Sequence, residues 1–425
     1  MAIRIIHTSS GDNMKIGYAC ICLNGPDKKY RTCTMRFASE EKLREIIAWN
    51  LRVLEEILHY NIDHHIALHR ISSDLIPFGS SPVNTIPWQD EFQEQFERIG
   101  TLIKTHDLRV SLHPGQYSVL NSPRTDVVER TIEDLRYHAS LLDLMKLDAS
   151  HKLILHVGGV YGNKQESMRR FVTQVLRLDP AIQRRLTIEN DDRYYHIGDV
   201  MNLAEQVKLP VIFDTLHHTL LPPDDSLSEL EWLDRVRTTW KVEDGDMKIH
   251  YSEQAEGKRR GAHAATVSSA KFVSFLDQLS FRDLDIMLEV KDKNLSACKC
   301  IDLKNRSFLK PEETALRYRY LNALQPADSF QNKHPLTFYE HMDTLCRKGR
   351  GAKELAELLQ LIHDDLIGIL DGKEEKRMEA MICKVRADAS SYPSVIEALL
   401  TKLSKKNAMR TESIYPLMYL TQREV

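Results

Sequence analysis

Eight short apolar runs, alternating with helical stretches, constrain this chain more than any other feature. The runs are MKIGYA (14–19), HIALHRIS (65–72), LRVSLHP (108–114), KLILHVG (152–158), RLTIEN (185–190), VIFDT (211–215), MKIHYS (247–252) and LDIMLEV (284–290). Most are rich in Ile, Val or Leu, as strands buried on both faces of a parallel sheet should be. Between them, helical periodicity marks SEEKLREIIAWNLRVLEEILHY (39–60), EFQEQFERIGTLIKTH (91–106), DVVERTIEDLRYHASLLDLMK (126–146) and SLSELEWLDRVRTTW (226–240). Ser39 is followed three residues later by Lys42, so the capping box is incomplete, although Glu40 and Glu41 suit a helix N-terminus. Eight strand–helix alternations predict an α/β chain closed into a (β/α)₈ TIM barrel over residues 14–305. A doubly wound open sheet is the alternative, and no Gly-rich dinucleotide turn supports it.

Beyond residue 305 the texture changes. Residues 306–425 read as a small all-α appendage, with helical patterns over 311–324, 352–372, 373–389 and 394–407 and a turn at RKGRGAK (347–353). Such a region suits a structural cap, a dimerisation element or a partner-binding element better than catalysis. Residues 1–13 precede the first run and read as a flexible extension. No stretch approaches the ~18 apolar residues of a membrane span. Seven unevenly spread Cys argue against a disulfide framework and for a reducing compartment. The sequence therefore reads as cytoplasmic. The net charge of −3 projects no global basic field. A nucleic-acid partner would have to be held by a local groove.

A barrel of this kind builds its active site from the C-terminal ends of its strands. Those ends carry Tyr18, His113, His156, Glu189, Asp214, Lys248 with His250, and Glu289; His217 and His263 follow closely in loops. Singly, a strand histidine is an ordinary hydrogen-bonded core residue, and Asp214 or Glu189 could cap the next helix. Together they are not routine packing, because buried charges cost several kcal/mol unless paired or metal-bound. Three carboxylates at one mouth need positive charge, and five neutral imidazoles are good metal donors. With no Cys among them, the mixed N/O set points to Mn²⁺ or Zn²⁺, with Mg²⁺ less suited. The number of candidate ligands suffices for two or three ions, which implies a multinuclear hydrolytic centre. Lys248, two residues from His250, faces the barrel interior with it. It is either deprotonated, modified to a metal-ligating carbamate, or paired with a carboxylate such as Glu289.

Loop chemistry adds further candidates. HPGQYSVLNSP (113–123) places Gln116 and Tyr117 on a rim loop, where an amide and a ring could probe a base. The glycines of HVGGVYGN (156–163) would let backbone approach a substrate closely. Lys258, Arg259 and Arg260 stand beside His263 and suit phosphate contacts. Cys20/Cys22 and Cys298/Cys300 read as ordinary thiols.

GYAC (17–20), RISSDLIPF (70–78), HPGQY (113–117), HVGGVYGNK (156–164), ENDD (189–192), FDTLHH (213–218), KIHYS (248–252) and LEVKDK (288–293) together resemble the UV damage endonucleases. The resemblance implies a TIM barrel that incises double-stranded damaged DNA 5′ to UV photoproducts, cyclobutane pyrimidine dimers and 6-4 photoproducts, with a divalent metal cluster usually described with Mn²⁺. It places the metal ligands at His113, His156, Glu189, Asp214, His217, His250, His263 and Glu289, and a modified lysine at Lys248. Glu189, Lys248 and Glu289 become the catalytic candidates. Tyr18, Gln116, Tyr117 and Asn24 become the lesion-contacting residues, and Lys258, Arg259 and Arg260 the backbone-binding ones. Two positions depart from the pattern. Ser81 stands where a site histidine is expected, and Cys22 stands roughly where an asparagine is usual, so that Asn24 is the nearest substitute. Abasic-site cleavage, a catalytically altered damage-binding protein and a sugar isomerase are the alternative readings.

Overall fold

The computed structural model describes residues 14–23, 29–224, 226–309, 334–348, 352–368 and 370–387, with 314, 318–319 and 321–322. The extension expected at 1–13, Asn24, most of the helix expected over 311–324 and all of that over 394–407 lie outside the described residues. The described chain forms two compact units. One runs up to Ile21, from 29 to Ala264 and from Gln278 to Val290; the other comprises 22–23, Ala265–Asp277 and Lys291 onwards.

Eight parallel strands close the first unit into a barrel in chain order, as the alternating pattern requires. They are β1 (Ile16–Ala19), β2 (Leu68–Ile71), β3 (Arg109–Leu112), β4 (Lys152–His156), β5 (Leu186–Glu189), β6 (Val211–Asp214), β7 (Met247–Tyr251) and β8 (Leu284–Leu288). The crossover helices include α1 (Glu40–Asp63), α2 (Gln93–Thr105), α3 (Thr125–Leu144), α4 (Lys164–Val175), α5 (Ile197–Val207) and α6 (Glu229–Arg237). Ser39 caps α1 by accepting the Lys42 amide, and Ser228 opens α6 with a full capping box to Glu231. That box explains why α6 begins at Glu229, inside the stretch expected from 226. The helix expected over 91–106 is broken at Phe92. A short helix, Trp88–Glu91, precedes α2, and the break lets Trp88, Phe92 and Phe96 all bury.

The register decides which side chains enter the barrel. Paired positions of neighbouring strands share a face, and Ala19↔Arg70, His156↔Glu189, Asp214↔His250 and Lys248↔Asp285 are all such pairs. Strands β5 and β7 are not neighbours, so the contact between Glu189 and His250 crosses the interior and fixes that face as the inner one. The opposite face, with Val110, Leu112, Leu155, Ile188, Phe213, Ile249 and Leu288, buries against the helices. The interior itself is polar. Near the strands' N-terminal ends, Arg109 donates to Asp285 (2.7 Å) and to the Asp244 and Asp246 carbonyls, and Lys152 pairs with Asp244 at 2.5 Å. A small apolar patch of Ala19, Leu68 and Met287 lines the β8–β1–β2 wall.

The second unit is largely helical over its described residues, and it begins before the expected boundary at 305, since it takes in Ala265–Asp277 and the chain from Lys291. It holds α7 (Ser269–Gln278, its last residue apart), α8 (Asn294–Asn305), α9 (Pro335–Lys348), α10 (Ala352–Leu366) and α11 (Gly372–Ala387). Helix α9 has no counterpart in the sequence reading; Pro335 occupies its first turn, where a missing amide hydrogen costs nothing. Buried Lys299 donates to Asp343 and Thr266, while Asp343 also accepts the Ser269 amide. The boundary expected between α10 and α11 shifts: α10 ends at Leu366, and Gly372 starts α11 rather than ending its predecessor. Among the described residues, no helix is long and apolar enough to cross a membrane.

Candidate metal centre

The inward-facing ends of β3 to β8 converge on Glu189. Its Oε2 lies 3.0 Å from His113 Nε2 and 3.5 Å from His156 Nε2, while its Oε1 lies 2.6 Å from His250 Nδ1. His250 Nδ1 is also 3.2 Å from Glu289 Oε1. Two donor sets result, His113/His156/Glu189 and Glu189/Asp214/His250, each with ligand atoms within 4.8 Å of one another. Glu189 belongs to both.

The remaining hydrogen bonds prepare these donors for a cation. Asp214 caps the short helix Thr215–Leu220 by accepting the His217 amide on Oδ1 at 2.7 Å, leaving Oδ2 buried and unpartnered. The capping reading is met on Oδ1, and Oδ2 is left over for the ligand reading. The Nδ1 atoms of His113, His217 and His263 lie against the carbonyls of Pro114 (3.1 Å), Asn190 (2.9 Å) and Glu289 (2.5 Å). A carbonyl only accepts, so each Nδ1 carries a proton, and in the neutral ring each Nε2 presents a lone pair. In His113 that lone pair faces a carboxylate oxygen, an arrangement that calls for a cation between them. His250 Nε2 and His156 Nδ1 are buried without partners among the described residues. This donor set fits a divalent-metal cluster.

Electrostatics agree. Burial opposes ionisation of Glu189, yet the His250 and His156 rings hold its carboxyl well below the usual range. Burial, with Glu189 and Glu289 nearby, pushes Asp214 up. Burial would lower His217, but Asp214 and Glu189 raise it to about 9. The three carboxylates thus draw positive charge to themselves, from the His217 ring and from Arg70 against Glu289.

Lys248 faces the interior one pleat below His250, wholly buried, with no hydrogen-bond partner on Nζ among the described residues. The pairing with Glu289 weighed from sequence is not formed. Glu289 takes Arg70 instead, at 2.5 Å, and burial drives Lys248 well below its ordinary range. Gln116 and Tyr117 are exposed on the loop that follows His113, Tyr117 by 68%. Lys258, Arg259 and Arg260 are exposed on a hairpin-like turn, closed by Ala255 N–H to Ala262 O and Ala264 N–H to Glu253 O, that sets His263 beside Glu289. Arg260 also donates to the Leu220 carbonyl. Tyr18 requires correction. The pleat turns it outward, where it is fully buried, packs edge-on against His69 and donates to Asn61 at 2.8 Å, a setting that does not suit the expected lesion contact. The Ser81 hydroxyl is used locally, accepting the Val83 amide.

Three residues escaped the sequence reading. Arg70 sits inward at the end of β2, and its signal was the cation in RISS. Asn190 ties β5 to β6 by accepting the Asp214 amide and donating to the Asp214 carbonyl. Glu229, at the start of α6, is raised to about 7 by burial and by Asp214.

Fold and site together define a TIM-barrel protein whose mouth holds a His/carboxylate cluster able to bind metal. The chain belongs to the UV-endonuclease UvdE family, whose model matches residues 14–318. It is 37% identical over 408 residues to a UV DNA damage endonuclease of Clostridium perfringens (strain 13 / Type A), covering 92% of this chain and 96% of that one. It is 33% identical over 265 residues to the UV DNA damage endonuclease of Bacillus cereus (strain G9842), covering 62% and 83%. The crystal structure of SacUVDE matches with a TM-score of 0.65 and 39% identity, over 69% of this chain and 98% of that chain. Membership makes this a DNA-repair endonuclease whose substrate is DNA. A match over 92% of the chain cannot stop at residue 318, so the clostridial relative shares much of the C-terminal region.

Proposed function

We propose that this chain incises duplex DNA 5′ to cyclobutane pyrimidine dimers and 6-4 photoproducts, using two or three divalent cations, Mn²⁺ foremost. The observation that carries the reading is Glu189, whose Oε2 faces the His113 and His156 imidazoles and whose Oε1 faces that of His250, 2.6–3.5 Å away. His113 and His156 with one Glu189 oxygen would hold one ion, and Asp214 and His250 with the other would hold a second. His217, His263 and Glu289 would complete the set. When bound, such ions supply Lewis-acid polarisation of a phosphodiester and a nucleophile at neutral pH.

The chain's own residues do the rest. Glu189 keeps the two donor sets in fixed relation. Glu289, oriented by Arg70, and Lys248, buried beneath His250, shape the charge of the centre. Gln116 and Tyr117 would probe the gap left when the damaged bases leave the stack, a step that costs less for a distorted photoproduct than for a normal pair. Lys258, Arg259 and Arg260 would grip the phosphate backbone. The helices after residue 305 would form an appended domain that mediates protein contacts or dimerisation.

A nicking assay on end-labelled duplexes carrying a cyclobutane dimer, an abasic site or no damage tests the reading, with wild type beside Glu189→Gln. Cutting 5′ to the dimer, dependent on Mn²⁺ and lost in the variant, is the expected outcome. Cutting only at the abasic site would overturn the lesion assignment.

A further inference from the structure

We infer that Tyr161, on the loop after β4, is a second nucleobase-stacking residue of this endonuclease beside Tyr117; the inference rests on the reading that the barrel mouth engages damaged DNA. Two consecutive βα loops use the same device. After His113 the chain runs Gly115-Gln116-Tyr117, and after His156 it runs Gly159-Val160-Tyr161. In each, the tyrosine ring folds back over the glycine two residues before it. A Cβ on Gly115 would lie 2.4 Å from Tyr117 Cε1, and one on Gly159 would lie 3.2 Å from Tyr161 Cε2 and Cζ. Both rings remain open to solvent, by 68% and 46%, although large apolar surface ordinarily seeks cover.

The backbone of the second loop is strained to achieve this. Tyr161 adopts φ +47°, a left-handed conformation that a ring-bearing residue rarely takes, between Gly158 at +109° and Gly162 at +80°. Such strain persists only where the surroundings over-determine it, and it collects at functional sites. Here the surroundings do so. The Gly159 carbonyl accepts from Asn121 Nδ2 (2.7 Å) and from the Tyr195 hydroxyl (3.0 Å), and the Val160 carbonyl accepts from Ser167 Oγ (2.7 Å) and the Asn163 amide (2.8 Å). The ring is therefore presented by a stiff loop. The Arg170 guanidinium lies 5.7 Å from its centroid and is itself anchored to the Asn121 carbonyl and Ser167 Oγ. An exposed ring with a fixed cation beside it is the pairing that binds a base and its phosphate.

Fluorescence anisotropy in EDTA, where nothing is cut, tests this with a labelled duplex carrying a cyclobutane dimer and the same duplex undamaged. Tyr161→Ala should weaken binding of the damaged duplex about ten-fold. Tyr161→Phe, which keeps the ring, should stay within about two-fold of wild type. A thermal melt of each variant reports whether the loop change has cost folding. Wild-type affinity in Tyr161→Ala, or an equal loss in Tyr161→Phe and Tyr161→Ala, would overturn the stacking role while leaving the endonuclease reading intact. Failure of the wild type itself to prefer the damaged duplex would overturn both.

Discussion

Arg70 on β2 reaches across β1 to donate to Glu289 at the end of β8, at 2.5 Å. The inward positions of the strand it crosses are Gly17 and Ala19, small enough to let the guanidinium pass. Gly17 answers to a second constraint as well, since a Cβ there would strike the Leu68 carbonyl oxygen of β2 at 1.6 Å. The pair is mostly buried, so removing one partner strands the other. Arg70→Ala should lose about 3 kcal/mol of stability in EDTA. Mn²⁺ should restore more of the variant's stability than it adds to wild type, because the ions then take over the Glu289 charge. Urea unfolding in EDTA and in Mn²⁺ checks this; equal metal effects on both proteins would remove Glu289 from the cluster.

Glu189→Gln should reduce the bound metal by at least one ion per chain and lower nicking at least 100-fold, an order of magnitude taken from the roughly 10–100-fold cost of losing even indirect metal contacts. Elemental analysis of protein purified without chelator gives the first number and the end-labelled assay the second. Retention of the full metal complement would show that Glu189 does not join the two donor sets.

His69 should make the fold acid-sensitive. Burial, above all, pushes its imidazole from 6.5 down to about 3. The folded state therefore favours the neutral ring, and its stability is fully present above the unfolded pKa of about 6.5. As pH falls from there towards 3, the unfolded chain takes up the proton first, and up to about 4 kcal/mol is lost. His69→Leu should flatten the stability profile in that window. An unchanged profile would assign the acid sensitivity to other groups.

How much was legible follows from the geometry of a strand. The ends of β3 to β8 were readable because so many ionisable residues closing apolar runs meet at one mouth, where buried charge is costly unless paired or metal-bound. Position along a strand, however, gives depth and not side. Tyr18 stands at the correct depth, but Gly17 and Ala19 occupy the inner face, so the pleat turns its ring towards the helices. Arg70 was missed for a related reason. Within HIALHRIS its charge looks like a strand edge, and only closure of β1 between β2 and β8 brings Glu289 to it. The break at Phe92 was hidden because both halves of the helix keep the same apolar period. Asn190 was hidden because its partner, the Asp214 backbone, carries no sequence signature.

Asp134 should govern the rigidity of the loop that carries Gln116 and Tyr117. Its carboxylate accepts from Ser118 Oγ at 2.6 Å and from Ser80 Oγ at 3.0 Å, tying that loop to the one bearing Ser81. Asp134→Ala removes both bonds, a loss of about 1–3 kcal/mol locally. Amide exchange at 115–118 should quicken, and discrimination between damaged and undamaged duplex should fall. Unchanged exchange would show that the loop is held by its backbone alone.

Replacing Lys258, Arg259 and Arg260 together by Ala should flatten the dependence of log affinity on log salt by up to about 2.7, with no change in sequence preference. Arg260→Ala alone should also loosen the turn, because its guanidinium holds the Leu220 carbonyl. Binding isotherms from 50 to 200 mM salt measure the slope, and an unaltered slope would place the phosphate contacts elsewhere.

The division of labour within Asp214 has a consequence for how such chains diverge. One of its oxygens starts a helix and the other looks into the cluster. A descendant that had ceased to cut DNA would still be selected to keep this aspartate for the sake of its fold. Glu189, whose carboxylate bonds only to imidazoles among the described residues, has no such second employment. Its replacement, rather than that of Asp214, is the mark by which a silenced relative would be recognised.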